Sequence, residues 1–507
     1  MTILKRNGIN GPSPNFIYGN MFSHDNKPNV EKFSEYFSKY GNIMGYYIGS
    51  KPIVLVNDID LIKRIQIKDF ANFSDRQTLN LKNGLFPNPK FSEHLISARG
   101  GRWKEMRTIL NPTFSAMKLK TMTPTIESCI DILIKKIDQK AQKGEEFDIY
   151  LYFQLLTTDV IAKTALGIDT DVQNNPNDKF YKAAKKIFDD KPPKFLLLFT
   201  CFPELDVILY PLRRFIQIIR EVRGFSPNYI ISKLIYTAIN LRTKLSTKKN
   251  DLLQLMLDAN ASETEIRDTK MSKLTIDMND DSVVEEKSST IKNGYGMVKA
   301  LTNDEIVINA IIFYEAGFET TSTALGFIAH ILIKYPEIQE KVRQEVIDLY
   351  NEEKRFDYNT VNKLSYMQCV INETLRYFPP VTTFVTRTTN EDYHYKDIVI
   401  PKNSTVRLSL QHLHHNPDHW PNPEVFDPER FRDKNNIDPI AFQPFGQGPR
   451  NCIGMRFALY EMKLGLSKLL HKYRLVPGPS TEMDIKVDYK VITQTPRNGV
   501  FVKAIPL

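Results

Sequence analysis

A cysteine near the C-terminal end of the chain lies in a loop whose composition favours a reactive thiolate. Cys452 belongs to the stretch FGQGPRNCIG (445–454), which runs into a helical pattern that begins at Met455. Glycines let this backbone turn sharply and approach a flat ligand, and a thiol at a helix N-terminus near a cation such as Arg450 is biased toward the thiolate. Such a thiolate is a good axial ligand for a haem iron. The alternative is a buried structural cysteine, the usual state of a lone Cys inside cells.

A helical pattern earlier in the chain carries an acid and a hydroxyl near its middle. A capping box at 302–305 opens the helix, and apolar residues follow on one face. The stretch AGFETT (316–321) then places Gly and β-branched residues in the helix interior, where Gly costs about 0.5–1 kcal/mol relative to Ala. Because a Thr hydroxyl can bond a backbone carbonyl, we expect the helix to be locally weak there. On its own, the pattern favours a packing notch where two helices cross.

The loop around Cys452 resembles the haem-binding loop of the cytochrome P450 family, because every fixed position of F-x-x-G-x-R-x-C-x-G is present. The stretch 316–321 then resembles the family's oxygen-binding motif A-G-x-E/D-T, in the long helix over the haem. The resemblance implies that Cys452 is the iron ligand and that Phe445 and Arg450 contact the cofactor, haem b. It also implies that the acid Glu319 and the hydroxyl of Thr320 deliver the protons that O–O cleavage consumes.

A charged pair on a later helix fits the same family by its position. Glu373 and Arg376 lie three apart on one helix face, and taken alone they would be an ordinary surface pair. Their place before the segment FDPERF (426–431) resembles the family's K-helix pair, which joins a second arginine, here Arg430, in an internal ion cluster. We predict that these three residues serve the scaffold and not the chemistry.

Fixed cations for the two haem propionates are predicted at two places. Trp103 and Arg107 lie at i and i+4, so both can face one ligand, and they resemble the W-x-x-x-R of the family's C helix. Arg387, in a strand-like run, matches another propionate partner in the family. Propionates need fixed cations and donors. The alternative for each arginine is a solvated surface position.

Four histidines close together could suggest a second metal site, and they are His412, His414, His415 and His419. Their spacing, H-x-H-H-x-x-x-H, matches no zinc pattern, and a similar stretch precedes P-E-R-F in the family. We expect satisfied or solvated histidines here, which leaves iron on Cys452 as the predicted metal.

The bulk composition indicates a large core in a reducing compartment. The 507 residues are 42% hydrophobic, and the four cysteines are too few and too scattered for a disulfide framework. A net charge of +9 favours acidic protein surfaces or anionic membranes as partners. Lys and Arg are dispersed and no nucleic-acid motif is recognisable, so we predict no nucleic-acid partner.

The remaining patterns predict a mainly helical chain with a small β region and no strand–helix alternation of a parallel sheet. Helical spacing is found at 102–110, 122–141 and 153–166. Strand-like runs are found at 43–47, 53–56, 381–388, 397–401, 405–408 and 500–504. Together with the motifs, these patterns are similar to the cytochrome P450 fold, which implies one large domain over 1–507.

Three segments stand apart from this pattern. A Pro/Gly-rich lead-in covers 8–20, and a polar stretch at 258–300 has the composition of a flexible insert that cannot bury enough surface to order itself. Residues 195–212 are apolar, interrupted by Pro and flanked by basic residues. They predict either a buried hairpin of helices or a monotopic membrane contact with a basic rim.

The lead-in is most similar to that of microsomal animal members, which implies the cytoplasmic face of the endoplasmic reticulum membrane. In those members a transmembrane helix precedes the lead-in. The residues ahead of position 8 hold neither a signal peptide nor a membrane-length apolar run. We therefore expect the anchor helix to be absent from this sequence, whether it was lost or never existed.

The reaction that the resemblance implies is monooxygenation, in which an apolar small molecule, O₂, two electrons and two protons give a hydroxylated product and water. The electrons would come from an NADPH-dependent flavoprotein reductase with an acidic docking face. The basic residues that would suit it are Arg102, Lys104, Lys118, Lys120 and Arg456. The candidate pocket walls are the loop 78–91, Phe313, Ala316, Val381 and Phe384.

Two other functions would use the same cofactor. A haem-thiolate isomerase or dehydratase would rearrange a peroxide without a reductase, and a non-catalytic haem sensor or carrier would need the thiolate alone. Glu319 and Thr320 argue against both, because neither function requires a proton relay.

Overall fold

The structure is a computed structural model of the chain. It describes residues 1–22, 28–76, 93–178, 181–183, 185–186, 201–224, 226–245, 249–259, 274–276, 301–383, 385–490 and 493–507. The α-helices within these residues are α1 (Ile3–Arg6), α2 (Asn29–Tyr40), α3 (Ile59–Lys63), α4 (Gly100–Leu110), α5 (Ala116–Gln142), α6 (Ile149–Ile161), α7 (Asp206–Val222), α8 (Pro227–Leu245), α9 (Leu252–Asp258), α10 (Asn303–Lys334), α11 (Pro336–Glu353), α12 (Tyr358–Val361), α13 (Ser365–Tyr377), α14 (Leu410–His414) and α15 (Met455–Lys472). The chain is thus mainly helical, as its patterns predict.

Short strands form small sheets beside the helices. They are β1 (Ile43–Ile48), β2 (Lys51–Val56), β3 (Phe147–Asp148), β4 (Thr386–Thr388), β5 (Tyr393–Tyr395), β6 (Ile398–Ile400), β7 (Thr405–Leu408), β8 (Tyr473–Val476), β9 (Val487–Tyr489), β10 (Gln494–Pro496) and β11 (Phe501–Pro506). One sheet has the order β1-β2-β7-β4, in which β2 and β7 are parallel, and a second has the order β3-β11-β8. The strands β5-β6 and β9-β10 are separate antiparallel pairs.

The strand predicted at 381–388 is wrong over most of its length, since only β4 is regular. Ahead of it the backbone makes isolated contacts: Val381 bridges Thr493, and the carbonyl of Thr382 accepts from Leu410 N. Pro379 and Pro380, which lack N–H groups, precede this run and limit ladder pairing. The strands predicted at 43–47, 53–56 and 405–408 are confirmed by β1, β2 and β7.

The centre of the core is α10, which crosses α6 at very short range. A Cβ added at Gly317 would lie 2.8 Å from Cδ1 of Ile161, and one added at Gly326 would lie 2.8 Å from Cδ2 of Tyr150. These two glycines therefore let the helices approach, which is the packing notch that the pattern favours. Among the described residues, only α10 is long and apolar enough to cross a membrane, and 83% of its most apolar window is buried inside the protein.

One helix, α7, turns an apolar face outward. Val207 is 86% exposed and Val222 is 82% exposed, and Ile208 and Phe215 between them are also exposed. The buried hairpin predicted for 195–212 is therefore wrong for the residues of α7. Pro211 lies inside α7 without ending it, and it removes a single backbone hydrogen bond there. Residues 195–200 lie outside the described part of the chain.

Candidate active site

The Cys452 loop is held in a conformation that only glycine can adopt at two positions. Gly446 and Gly448 have φ values of 72° and 70°. A Cβ at Gly448 would also lie 2.1 Å from the carbonyl oxygen of Gln66. The loop closes where Cys452 N donates to the carbonyl of Phe445 at 2.8 Å. Helix α15 begins just after the loop, so the sulfur of Cys452 lies near a helix N-terminus, as predicted.

The predicted bias of Cys452 toward the thiolate is wrong for the loop by itself. Burial raises the pKa of the Cys452 thiol, and a hydrogen bond from the Gly454 backbone and the charges of Arg107 and Arg76 oppose this rise only in part. The loop therefore favours the neutral thiol, because desolvation outweighs the nearby cations. Coordination to a metal ion deprotonates a thiol outright, so a bound iron would stabilise the thiolate that the loop alone does not favour.

Cys452 faces a cavity of about 260 Å³ whose lining is mainly apolar. Helix α10 contributes Phe313, Ala316 and Thr320, and the segment after α13 contributes Val381. Phe445 lies on the wall beside the sulfur. The structure thus brings these predicted wall residues to one space with the cysteine. Phe384 and the loop 78–91, also predicted as walls, lie outside the described residues.

Four arginines converge on this cavity, and we call them the arginine cluster: Arg76, Arg107, Arg387 and Arg450. Burial lowers the pKa of Arg76 to about 10, that of Arg107 to about 9 and that of Arg450 to about 7. Repulsion from neighbouring arginines adds to the shifts of Arg107 and Arg450. Burial, followed by repulsion from Arg76, also lowers the pKa of Arg387 far below its usual value. Such a cluster is stabilised by anions placed among its members.

A buried atom of Arg387 supports the same conclusion. Arg387 lies on β4 and is 1% exposed, and its Nη1 donates to the carbonyl of Thr386 at 2.8 Å. Its Nε is buried and has no hydrogen-bond partner among the described residues. A buried donor left unsatisfied costs about 1–3 kcal/mol. The N–H groups of the arginine cluster therefore fit the carboxylates of a haem, which would accept the unused hydrogen bond of Arg387 Nε.

Arg450 also ties the cysteine loop to the segment before α4. Its guanidinium donates to the carbonyls of Ser74 (2.8 Å), Leu95 (3.2 Å), Ile96 (3.2 Å) and Ala98 (2.8 Å). It also stacks 4.3 Å from the centre of the Trp103 ring, which is 1% exposed. The expectation that Arg450 is the cation of the thiol is wrong, because Arg107 and Arg76 are the charges that act on Cys452.

Arg107 is fixed by two partners that the sequence did not suggest. Its Nη2 donates to Oδ1 of Asn451 at 3.0 Å, and its Nε donates to the carbonyl of Leu274 at 3.2 Å. Asn451 Nδ2 donates in turn to the carbonyl of Ile276 at 2.6 Å. Leu274 is buried in the main core. Of the predicted flexible insert at 258–300, the described residues are 258–259 and 274–276, and this second piece packs against the site.

The sequence motif on α10 adopts a regular helix with one side-chain bond to the backbone. The predicted capping box is confirmed, since Thr302 and Glu305 each bond the backbone of the other. Thr320 Oγ1 donates to the carbonyl of Ala316 at 2.6 Å, as expected of a Thr in this place. The helix is nevertheless continuous from Asn303 to Lys334, so the predicted weakness does not appear as a break.

Glu319 lies beside Thr320 in the chain but outside the cavity lining found among the described residues. It is 2% exposed, and its Oε1 accepts from Nζ of Lys490 at 2.8 Å. Lys490 follows β9 near the C-terminal end. The structure therefore separates the two residues of the predicted relay: Thr320 faces the cavity, whereas the carboxylate of Glu319 is held by a lysine.

The predicted ion cluster is assembled at the end of α13, where Glu373 meets both arginines. Arg376 forms two hydrogen bonds with Glu373, at 2.7 and 2.8 Å, and Arg430 Nε lies 3.5 Å from Glu373 Oε1. Glu373 and Arg376 are fully buried, and Asp427 N donates to Glu373 Oε1 at 2.9 Å. Arg376 Nη1 also donates to the carbonyl of His414 at 2.9 Å.

Three of the four histidines take part in local packing or side-chain hydrogen bonding. His412 stacks on Phe37 with ring centres 4.5 Å apart, and His415 Nδ1 lies 2.9 Å from the carbonyl of Gln411. His414 Nε2 accepts from Gln443 N at 3.2 Å. Within the described residues, no group of three His, Cys, Asp or Glu side chains is arranged to hold a metal ion.

Sequence reasoning missed Arg76, Lys490 and the contact of Leu274. Arg76 Nη2 donates to the carbonyl of Arg450 at 3.0 Å, across 374 residues of chain. No spacing in the sequence links positions so far apart.

Comparisons with known proteins agree with this site. A family model described as "Cytochrome P450" matches residues 9–502. Thromboxane-A synthase of Rattus norvegicus is 34% identical over 99% of this chain and 92% of that protein. Cytochrome P450 3A2 of Rattus norvegicus and Cytochrome P450 3A5 of Homo sapiens are each 33% identical, again over 99% of this chain and 92% of each relative.

Proposed function

Since the chain belongs to the cytochrome P450 family, we propose that Cys452 holds the iron of a haem b whose propionates face the arginine cluster. The chain is a haem-thiolate monooxygenase, and it acts on an organic substrate with O₂ and a redox partner. The single observation that carries the site assignment is that Cys452 and the arginine cluster, three of whose members are buried, surround one cavity.

The members of the arginine cluster have different roles in binding the cofactor. Arg107 and Arg387 offer guanidinium groups to propionates, and Trp103 packs against Arg450. Arg450 acts mainly as a brace, since its N–H groups bond the carbonyls of the 95–98 segment. When bound, the haem supplies an iron that activates O₂ with electrons from the partner.

The residues above Cys452 bind the substrate and manage protons. Phe313, Ala316 and Val381 give the cavity apolar walls, which favour an apolar substrate and exclude water. Thr320 places a hydroxyl at the cavity surface, where it can donate to a reacting oxygen. Glu319 accepts protons from the solvent side and passes them toward Thr320. A single controlled relay limits the release of peroxide that free water would allow.

The electrons are proposed to come from an NADPH-dependent flavoprotein reductase with an acidic docking face. Lys120 is exposed, and Lys104, Lys118 and Arg456 are partly exposed, near the start of α4, α5 and α15. A set of basic side chains at these helix starts suits an acidic partner. Arg102 is not part of this proposal: it pairs with Glu105 at 2.8 Å and with Glu305, so its charge is already engaged.

We also propose that α7 contacts the cytoplasmic face of the endoplasmic reticulum membrane. Its exposed apolar face is accompanied by Arg223 at the helix end, and Phe16 of the lead-in is exposed as well. Cys201 Sγ lies 3.5 Å from Met21 Sδ, which ties the approach to α7 to the lead-in. An amphipathic helix with basic flanks lies in a membrane interface. Co-sedimentation with anionic lipid vesicles tests this contact, and absence of binding contradicts it.

The function is tested by comparing three reactions of the purified haem protein. A panel of apolar compounds is first screened for ligands that shift the visible spectrum of the haem. The selected ligands are then incubated with NADPH and reductase, with an organic hydroperoxide alone, or with neither. Hydroxylated product that depends on NADPH and reductase supports monooxygenation. Rearranged hydroperoxide without reductase would support the isomerase, and no turnover in any arm would support a sensor.

A further inference from the structure

The tip of the C-terminal hairpin places a lysine against the acid beside the cavity. Lys490 Nζ lies 2.8 Å from Glu319 Oε1, and the two side chains are 16% and 3% exposed. Lys490 directly follows β9, and its backbone N–H donates to the carbonyl of Thr493 at 2.8 Å, just before β10. This ion pair joins the hairpin to the middle of α10.

Because the pair is buried, Lys490 strongly affects the charge state of Glu319. A carboxylate that is almost wholly removed from water remains an anion only when it is paired and hydrogen-bonded. The lysine supplies both a charge and a donor at contact distance. Its remaining exposure leaves the ammonium within reach of solvent, whereas Glu319 is closed off. The lysine therefore lies on the solvent side of the acid, and Thr320 lies on the cavity side.

The same hairpin also supports the cavity wall. Thr493 forms a bridge with Val381, which lines the cavity, and Gln494 N donates to the carbonyl of Pro380 at 3.0 Å. Gln494 Nε2 donates to the carbonyl of Pro379 at 2.9 Å. The wall at Val381 is thus linked to Lys490 through Thr493, which bridges Val381 and accepts the hydrogen bond of the Lys490 backbone N–H.

We propose that Lys490 is a positioning residue for proton delivery: it keeps Glu319 ionised and turned toward the partly exposed ammonium of Lys490, the side from which a proton of the solvent arrives. This inference rests on the monooxygenase function proposed above. In each delivery Glu319 gains one proton from the bulk solvent on the Lys490 side, turns, and gives it to the Thr320 hydroxyl, which passes its own proton to the reacting oxygen in the cavity, so one proton moves in all and Glu319 returns to the carboxylate. Lys490 keeps its own protons, and no electrons move in this step.

A purely structural role for the pair makes a different prediction. In that case Lys490 would fasten the hairpin to α10, and its loss would lower stability and disturb the wall at Val381. Substrate affinity would then weaken. The share of electrons that ends in product and not in peroxide would stay close to that of the wild type in the protein that remains folded.

The test uses the haem protein with reductase and the variants Lys490→Met, Lys490→Arg and Glu319→Gln. Lys486→Met is the matched control, because Lys486 is an exposed lysine one residue before the same hairpin strand. We expect Lys490→Met to lower the fraction of NADPH electrons found in product about tenfold, which is less than the 100-fold or greater cost of removing a general acid. The KM for substrate should stay within about twofold, because no substrate contact is removed. Lys490→Arg should restore most of the coupling.

A double variant, Lys490→Met with Glu319→Gln, tests whether Lys490 affects coupling through Glu319. If Lys490 acts through Glu319, then Lys490→Met should have no further effect in the Glu319→Gln background. Additive losses would overturn the proposal, as would wild-type coupling in Lys490→Met. Failure of the proposed function itself is recognised separately, because the wild-type protein would then form no NADPH-dependent product.

Infrared spectroscopy gives a readout that does not depend on turnover. The difference spectrum between wild type and Glu319→Gln isolates the band of the Glu319 carboxyl group. We expect a carboxylate band in the wild type and in Lys490→Arg, and a protonated carboxylic acid band in Lys490→Met. A carboxylate band that persists in Lys490→Met would show that the lysine does not hold the charge, and would overturn the proposal.

Discussion

Arg107 Nη2 donates a 3.0 Å hydrogen bond to Oδ1 of Asn451, the residue directly before Cys452, across 344 residues of chain. This bond joins α4 to the cysteine loop, so the two parts of the chain with the strongest motifs share one rigid contact. Leu274 adds a second bond to the same guanidinium. The position of the cation that faces the cavity is therefore set by the loop that carries the sulfur.

The cysteine loop should not tolerate a side chain at Gly448. Gly448→Ala would place a Cβ 2.1 Å from the Gln66 carbonyl in a residue with φ +70°. The left-handed backbone alone costs about 1–2 kcal/mol for an L-residue. We expect loss of haem from most of the purified protein, measured as the ratio of haem to protein. Gly465→Ala in α15 is the control: nothing lies within 4 Å of its added Cβ, and the helix should gain about 0.5–1 kcal/mol. Normal haem content in Gly448→Ala would contradict this role.

The buried ion cluster should be far more sensitive to loss of one partner than of both. Glu373→Gln leaves Arg376 charged and fully buried, which costs about 3–5 kcal/mol of the free energy of unfolding. Replacing the pair together, Glu373→Leu with Arg376→Met, should cost clearly less. Urea unfolding of the three proteins measures the difference. A loss below about 1 kcal/mol in Glu373→Gln would contradict a structural role for the cluster.

The hydroxyl of Thr320 should determine how much of the NADPH consumed yields product and how much yields hydrogen peroxide. Thr320→Ala removes the only predicted donor on the cavity side of the relay, so we expect more hydrogen peroxide and less product per NADPH, by about tenfold or more. Thr320→Ser keeps the hydroxyl and should remain close to wild type. Ser322→Ala serves as a second control, because that hydroxyl also bonds the backbone of α10 but Ser322 is not among the residues that line the cavity. Unchanged coupling in Thr320→Ala would remove this residue from the mechanism.

The free energy of unfolding should decrease as the pH rises, because a carboxylic acid on α10 must lose its proton. Burial raises the pKa of Glu315 from 4.5 to about 7, and a hydrogen bond from Asn228 opposes this only in part. The folded protein thus keeps a proton that the unfolded chain releases. The resulting stability is fully present below pH 4.5 and is lost as the pH rises through about 7.

Glu315→Gln tests this pH dependence, because it keeps the shape and removes the titration. Subtracting its free energy of unfolding from that of the wild type at each pH isolates the contribution of Glu315. We expect the wild type to lose stability relative to the variant between pH 4.5 and 7. A difference that does not vary with pH would contradict the raised pKa.

The sequence predicted those features that depend on local spacing. The capping box at Thr302, the bond of Thr320 to the helix backbone and the pair of Glu373 with Arg376 each involve residues within one helical turn. Local chemistry alone decides such contacts. The order of the motifs along the chain was then enough to place them in one family.

Features that depend on long-range packing could not be predicted in this way. Lys490 meets Glu319 across 171 residues, and Arg76 meets Arg450 across 374. No periodicity links such positions. The pKa of Cys452 was misjudged for the same reason, since the extent of burial, which dominates it, is a property of the assembled fold.

The most direct test is the spectrum of the reduced protein under carbon monoxide, for wild type and Cys452→Ser. We predict a thiolate-type Soret band in the wild type and its loss in Cys452→Ser, with haem still detectable by total iron porphyrin content. Gly465→Ala, which leaves the cysteine loop untouched, should keep the wild-type band. A wild-type protein without that band, or a Cys452→Ser protein that retains it, would contradict the assignment of Cys452 as the iron ligand.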